Sequence, residues 1–309
     1  MITTIFSKSQ PVNFVIIAIL MVLCFVLFQI QNETWDSVII IATKISVFLL
    51  LTLAILLSNF IGNKNNLQKN SAFSILFHVL FIVLIPDVFS NLNMACANVL
   101  VFFAVRRLIS MQSQIDVKQK ILDASILIFT ATLFKFWAIL FIFLVFAAIV
   151  FYASRDYRNW VVPYVALFAT VITFVFIALL INPDFIDVFW NSRFINSNFD
   201  YFQNSFQNLS ISFYTTICVL FIANMVFIYP RKSLTTHPHY KILMFAFVIG
   251  ILFFIITPNK NNGSLLFTFA PMSIFVANYF DSVETKWIKE TTAIAIVLMS
   301  FVCFVGQIY

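Results

Sequence analysis

Charge is what this sequence has least of. Asp, Glu, Lys and Arg make up 10% of it, against roughly 25% in an ordinary soluble domain. The chain is 62% hydrophobic with a mean hydropathy of +1.02. No stretch of the 309 residues is polar enough for a water-soluble domain, so a separate soluble catalytic module is excluded. Glycine is scarce too. Its four positions, Gly62, Gly250, Gly263 and Gly306, are too few for close helix approach through small-xxx-small motifs. The four cysteines, Cys24, Cys96, Cys218 and Cys303, fall in or beside apolar runs, without CxxC or other metal spacing. They read as core-packing residues. There is no P-loop, GxSxG or HExxH, so no metal and no cofactor is expected. Nothing suggests nucleic acid.

What is present is a series of long apolar runs. A bilayer crossing needs roughly 20 apolar residues. Helices are expected near 12–30, 37–60, 71–86, 94–107, 121–134, 137–153, 161–182, 211–229, 242–257, 265–280 and 291–308. The first follows Lys8 and could mimic a signal peptide, but no small-x-small cleavage site follows it. It reads as a retained span.

One run decides the topology. "ILIFTATLFKFWAILFIFLVF", residues 126–146, is apolar throughout except for Lys135. Cytoplasmic loops carry the excess of Lys and Arg. With the N-terminus inside and the helix broken at Lys135, only Lys135, Arg193 and Lys260 lie outside and Lys44 lies within the second span. The other fourteen of the eighteen cations are then cytoplasmic. An unbroken run would flip every later loop and put Arg155, Arg158, Arg231, Lys232 and Lys241 outside. The broken run is therefore expected. The chain reads as an all-α, multi-pass protein of the bacterial inner membrane. It is one transmembrane domain over 1–309 with about eleven spans, N-terminus in and C-terminus out.

The outer face then holds Glu33 and Asp36 in "QNETWD", Asp87 in "LIPDVFSN", and a long segment over 183–210 with Asp184, Asp187, Arg193 and Asp200. That segment mixes polar and aromatic residues. It is expected to form at least one helix lying in the interface, where amphipathic rings prefer to sit. Lys44, about two turns into its span, is placed to snorkel. Asp123 reads as a carboxylate at a helix start. His78 reads as a neutral core histidine bonded to a neighbour. His237 and His239 in "HPH" read as part of a solvated basic loop.

Two resemblances follow. "FSKSQPVNF", "NVLVFFAVRRLIS" and "KQKILDASILIFTATLFKFWAILF" together resemble a family of polytopic membrane proteins from Flavobacterium-type Bacteroidetes. That family brings no activity with it. More distantly, the plan is similar to the GT-C superfamily of membrane glycosyltransferases. The "VFFAVRRL" helix end resembles their helix closing on a cytoplasmic basic pair. "PNKNNGSLLFTFAPMSIFVANYF" resembles their basic outer loop leading into a helix with an internal proline, here Pro271.

The second resemblance implies an outer-face active site and a polyprenyl-phosphate sugar donor. Asp36 or Asp87 would be the general base for an acceptor hydroxyl. Lys44, Lys135, Arg193 and Lys260 would bind the lipid-linked phosphate. Asp36, Asp87, Lys135 and Lys260 are then expected around one outer cavity. The rival function is a non-catalytic membrane subunit or scaffold with membrane protein partners. A transporter is a third reading, without the internal repeat or Pro/Gly-broken pair of spans that usually marks one.

Overall fold

The structure, a computed structural model, describes residues 2–32, 37–194, 204–258 and 260–308. Among these residues it is helical, with no strand. The helices in chain order are α1 (Ile2–Phe6), α2 (Pro11–Asn32), α3 (Val38–Lys64), α4 (Phe73–Leu84), α5 (Leu92–Ile109), α6 (Val117–Phe134), α7 (Ile142–Tyr152), α8 (Arg158–Ile181), α9 (Asp184–Asn191), α10 (Ser205–Ile228), α11 (His237–Ile256), α12 (Leu266–Ser282) and α13 (Lys286–Ile308). Eight segments are long and apolar enough to cross a membrane: those built on α2, α3, α5, α8, α10, α11, α12 and α13. Phe73–Leu84 and Phe136–Tyr152 are shorter apolar helical stretches. Each helix expected from the sequence has a counterpart here, and eight of the segments meet the length and apolarity of a crossing on their own.

The chain divides into two compact units. The first comprises Met1–Leu92, Phe199–His237 and Asn261–Tyr309; the second comprises Asn93–Asn198 and Pro238–Lys260.

The first unit is built around α4. Its twelve residues are all buried. At 1.5 Å per residue it is far shorter than a hydrocarbon core of about 30 Å. It packs chiefly against α12, then against α13, α3 and α2. Phe77 and Phe280 meet with ring centroids 4.7 Å apart, and Phe81 meets Tyr214 edge-on at 5.3 Å. Two of the unit's buried polar pairs show the pairing expected away from water. His78 Nδ1 lies 3.0 Å from Ser58 Oγ, as expected for a core histidine. Tyr214 Oη lies 2.6 Å from Thr268 Oγ1. Cys24, Cys218 and Cys303 are buried and Cys96 half-buried.

Where α3 turns into α4 the backbone doubles back through Asn66, at φ 54. This is a left-handed conformation that asparagine tolerates better than most residues. The turn lays Gln68 over Gly62. Gln68 Nε2 donates toward Asn63 Oδ1 at 2.8 Å, Ser74 Oγ at 3.0 Å and Asn59 Oδ1 at 3.2 Å. A Cβ on Gly62 would come within 2.8 Å of Gln68 Cδ. Gly62→Ala should therefore push the amide out of this buried network. The expected loss of stability is about 1–3 kcal/mol, the cost of leaving buried polar groups unsatisfied. Thermal unfolding in detergent reads it, and an unchanged midpoint would show that Gln68 relaxes freely.

In the second unit α6 packs against α8, and α7 packs against both. The start of α6 corrects one sequence expectation. The helix begins at Val117, so Asp123 sits in its second turn rather than at its start. It forms an ion pair with Arg107 of α5 at 3.2 Å. A second correction concerns "HPH", which opens α11 instead of forming a solvated loop. Pro238 is tolerated in that first turn because its missing N–H has no helical partner to lose. His239 is 2% exposed. It bonds the Tyr152 hydroxyl at 2.6 Å through Nδ1 and the Gln112 side-chain oxygen at 2.5 Å through Nε2. His237, in the first unit, stacks on Tyr229 at 4.2 Å.

Candidate functional site

The apolar run at 126–146 is broken at Lys135. α6 stops at Phe134, and Lys135 is extended at φ −142 and ψ 107. No proline or glycine causes the break. The Lys135 N–H closes the last turn of α6 on the Ala131 carbonyl at 3.1 Å. The Lys135 carbonyl accepts from Ala138 N–H at 2.9 Å and so starts a 3-10 turn, Phe136–Phe141, that leads into α7. The backbone thus keeps its hydrogen bonds through the break, as an apolar setting demands.

The break opens into a cavity of about 550 Å³, within the usual range for small-molecule sites. Its walls belong to the second unit. Leu133, Phe134, Lys135, Phe136 and Trp137 come from the break. Phe174 comes from α8, and Phe185, Val188, Phe189 and Asn191 from α9. Ser192 and Phe194 follow α9; Phe253, Thr257 and Pro258 come from the end of α11, and Asn93 from α5. The Trp137 indole N–H donates to the Phe194 carbonyl at 3.4 Å, and Phe136 meets Phe189 at 5.4 Å. These contacts hold the short helix α9 beside the break. None of its residues is buried, so α9 covers the cavity without being enclosed itself.

Among the described residues the cavity wall carries one cation, Lys135, and no carboxylate. The other polar side chains are the amides of Asn93 and Asn191, the hydroxyls of Ser192 and Thr257 and the Trp137 indole. Burial pushes the Lys135 pKa below the ordinary lysine range, because a desolvated ammonium without a counter-charge is disfavoured. A second cavity, of about 410 Å³, adjoins this one. It shares Leu133, Phe136, Phe174 and Phe189 and is otherwise lined by apolar side chains and the threonines Thr132 and Thr170. The pair forms a cationic head pocket with an apolar slot beside it. Chemically that suits an amphiphile with an anionic head.

The other residues singled out from the sequence are placed as follows. Arg193, also in the second unit, is exposed and lies over the Trp190 ring with its guanidinium carbon 5.1 Å from the ring centroid. Lys260 is the last residue of the second unit and is half-buried. Lys44 belongs to the first unit and is 3% exposed in α3, so it is enclosed by protein where snorkelling was expected.

Asp87 also belongs to the first unit, in a 3-10 turn, Pro86–Ser90, that follows α4. Burial pushes its carboxyl up, and the Asn262 backbone N–H bonded to it pulls the other way. Gly263 fits under the same turn, where an added Cβ would come 3.2 Å from the Asp87 carbonyl. Asp36 lies outside the described residues.

The sequence reading missed the amide and hydroxyl wall of the cavity and the apolar slot. Asn93, Phe174 and Phe253 are far apart in the chain, and nothing local to each marks it as a wall residue.

A family model matches residues 1–309. The chain belongs to DUF6427. That family is described as one of unknown function, so membership brings no activity with it. No curated protein and no solved structure matches the chain.

Proposed function

We propose that this DUF6427 chain is an inner-membrane protein that seats an anionic lipid headgroup of the polyprenyl-phosphate class in the cavity around Lys135. The observation that carries it is the single lysine in a helix break, walled by aromatic rings, with an apolar slot beside it that shares Leu133, Phe136, Phe174 and Phe189. A lysine acts on phosphate as a point charge with rotatable donors. The slot takes the first part of the lipid tail. In this reading the chain crosses the membrane about eleven times with both termini as the charge distribution sets them, and the cavity opens to the outer leaflet.

Glycosyl transfer from a polyprenyl-phosphate sugar is the finer form of the proposal. Asp36 or Asp87 is then the candidate general base, and Arg193 and Lys260, in the same unit as Lys135, would add to phosphate binding, whereas Lys44, enclosed in the first unit, is left out of it. A carboxylate lifted toward neutral pH, as burial does at Asp87, suits a base better than an unperturbed one. A second reading is favoured by a specific observation. The described cavity wall has no carboxylate, which fits a lipid-binding scaffold subunit that holds the carrier for a partner enzyme.

The test is binding of undecaprenyl phosphate and of undecaprenol to the full chain in nanodiscs, by native mass spectrometry. The phosphate should bind and the alcohol should not. Lys135→Ala should weaken binding ~10- to 100-fold, the loss of one charge-assisted hydrogen bond, and Lys135→Arg should retain most of it. Binding should also weaken as pH rises through the depressed Lys135 pKa, because the lysine then loses its charge. Equal binding by Lys135→Ala and wild type would overturn the proposal. Loss of a glycan-dependent phenotype in Asp36→Asn or Asp87→Asn cells, with protein still in the membrane, would separate the enzyme from the scaffold.

A further inference from the structure

The first unit holds a cavity of about 450 Å³ at the turn between α3 and α4. Gln68, Lys69, Lys232, Asn278, Asp281 and Ser282 line it, brought together from three distant parts of the chain. Asp281, Lys232, Asn278 and Gln68 are fixed by specific contacts. The Asp281 carboxylate accepts from the Lys69 backbone N–H at 2.7 Å and from the Ser71 hydroxyl at 3.2 Å, which ties the turn to the end of α12. Lys232 Nζ donates to Asn278 Oδ1 at 2.7 Å. Gln68, 7% exposed, is held by the amide network over Gly62.

Charge at this cavity is out of balance. Two ammonium groups face one carboxylate, and that carboxylate already serves a backbone N–H and a hydroxyl. Burial and the nearby Lys69 charge both push the Lys232 pKa down, while Asp281 pulls it up. An anion placed here would relieve the repulsion between the lysines and recover the cost of holding Lys232 out of water. The cavity size is that of a small-molecule site. Asp281, together with Asn66 and Asn70 on the same wall, can accept from or donate to hydroxyls on the body of such a ligand.

We infer that this cavity binds a phosphate-monoester anion, held between Lys232 and Lys69, at a site separate from the one around Lys135. The monoester can belong to a small soluble molecule or to a lipid headgroup, and the recognition chemistry is the same. Lys232 is the specific contact because Asn278 aims its ammonium. Lys69 is an exposed point charge that closes the site.

Thermal unfolding of the full chain in nanodiscs tests this. Glycerol 3-phosphate is titrated into phosphatidylcholine discs at matched ionic strength, and discs containing phosphatidic acid form a second arm. A ligand that binds the folded state raises the unfolding midpoint in a concentration-dependent way. Lys232→Gln should weaken the apparent affinity ~10- to 100-fold, as expected for loss of a charge-assisted hydrogen bond. Lys69→Gln, at an exposed side chain whose change leaves packing intact, should weaken it in the same direction. Stabilisation by glycerol 3-phosphate that both variants lose identifies a soluble ester. Stabilisation confined to phosphatidic acid discs, and lost in both variants, identifies a headgroup. No stabilisation in either arm, or stabilisation that both variants keep, overturns the inference.

Discussion

In a chain freed of its four native cysteines, a cysteine at position 192 will react with an impermeant thiol reagent applied to spheroplasts, and so will one at position 135. A cysteine at position 118 will react only after permeabilisation. The expectation rests on charge. Fourteen of the eighteen Lys and Arg fall on one side only if the run at 126–146 does not cross the membrane as one helix. The backbone is in fact interrupted at Lys135. Ser192 and Lys118 are both exposed, so neither outcome depends on loosening the fold. Position 192 is the cleaner probe, since Lys135 is half-buried. Labelling of 192 only after permeabilisation would reverse the orientation of the whole second half of the chain. It would also place the Lys135 cavity on the cytoplasmic side, where a polyprenyl-phosphate sugar would have to be used before it crosses the bilayer.

Much of the helical plan was legible in the sequence because apolar runs and charge placement are local signals. The break at Lys135 was readable from one charge in an apolar run, once the positive-inside rule was applied to the loops after it. Two kinds of error have identifiable causes. Asp123 was misplaced because α6 begins four residues earlier than its apolar stretch, through Val117, Lys118, Gln119 and Lys120. Polar residues in a first helical turn look like loop to a hydropathy reading. His239 was read as solvated because Pro238 beside it suggests a turn. A proline is equally at home in the first turn of a helix, and here it leaves His239 pointing into Tyr152 and Gln112.

The candidate sites were less legible than the helices. Lys135 stood out as the one charge in its apolar run, but Asn93, Thr257 and Phe174 join it around the cavity only through tertiary packing. Lys69, Lys232 and Asp281 each looked like ordinary cytoplasmic charge. Their convergence depends on Gly62, Asn66 and Gln68 making one particular turn. That dependence is a physical property of the fold and leaves no pattern in any single window of sequence.

Phe77→Ala will destabilise the protein severely, whereas Phe176→Ala, the same change on another apolar helix, will leave stability within about 0.5 kcal/mol of wild type. The two phenylalanines are indistinguishable by hydropathy. Phe77 lies in α4 with no exposed surface and meets Phe280 with ring centroids 4.7 Å apart. Phe176 lies in α8, 64% exposed, on a span of which only 11% is buried inside the protein. In water, emptying a Phe-sized hole costs about 3–5 kcal/mol, part of it the lost transfer from water to the core. In a bilayer that transfer part shrinks, since lipid tails are as apolar as the core and association rests on packing. The cavity part remains, because α4 is wrapped by α12, α13, α3 and α2 and lipid does not reach it to fill the gap. The expected cost at Phe77 is therefore toward the lower end, about 2–4 kcal/mol. At Phe176 a lipid tail simply replaces the ring. Steric-trap unfolding or a thermal midpoint in nanodiscs measures both. Equal effects at the two positions would mean that α4 meets lipid as α8 does, and the first unit would lose the enclosed helix on which its packing is built.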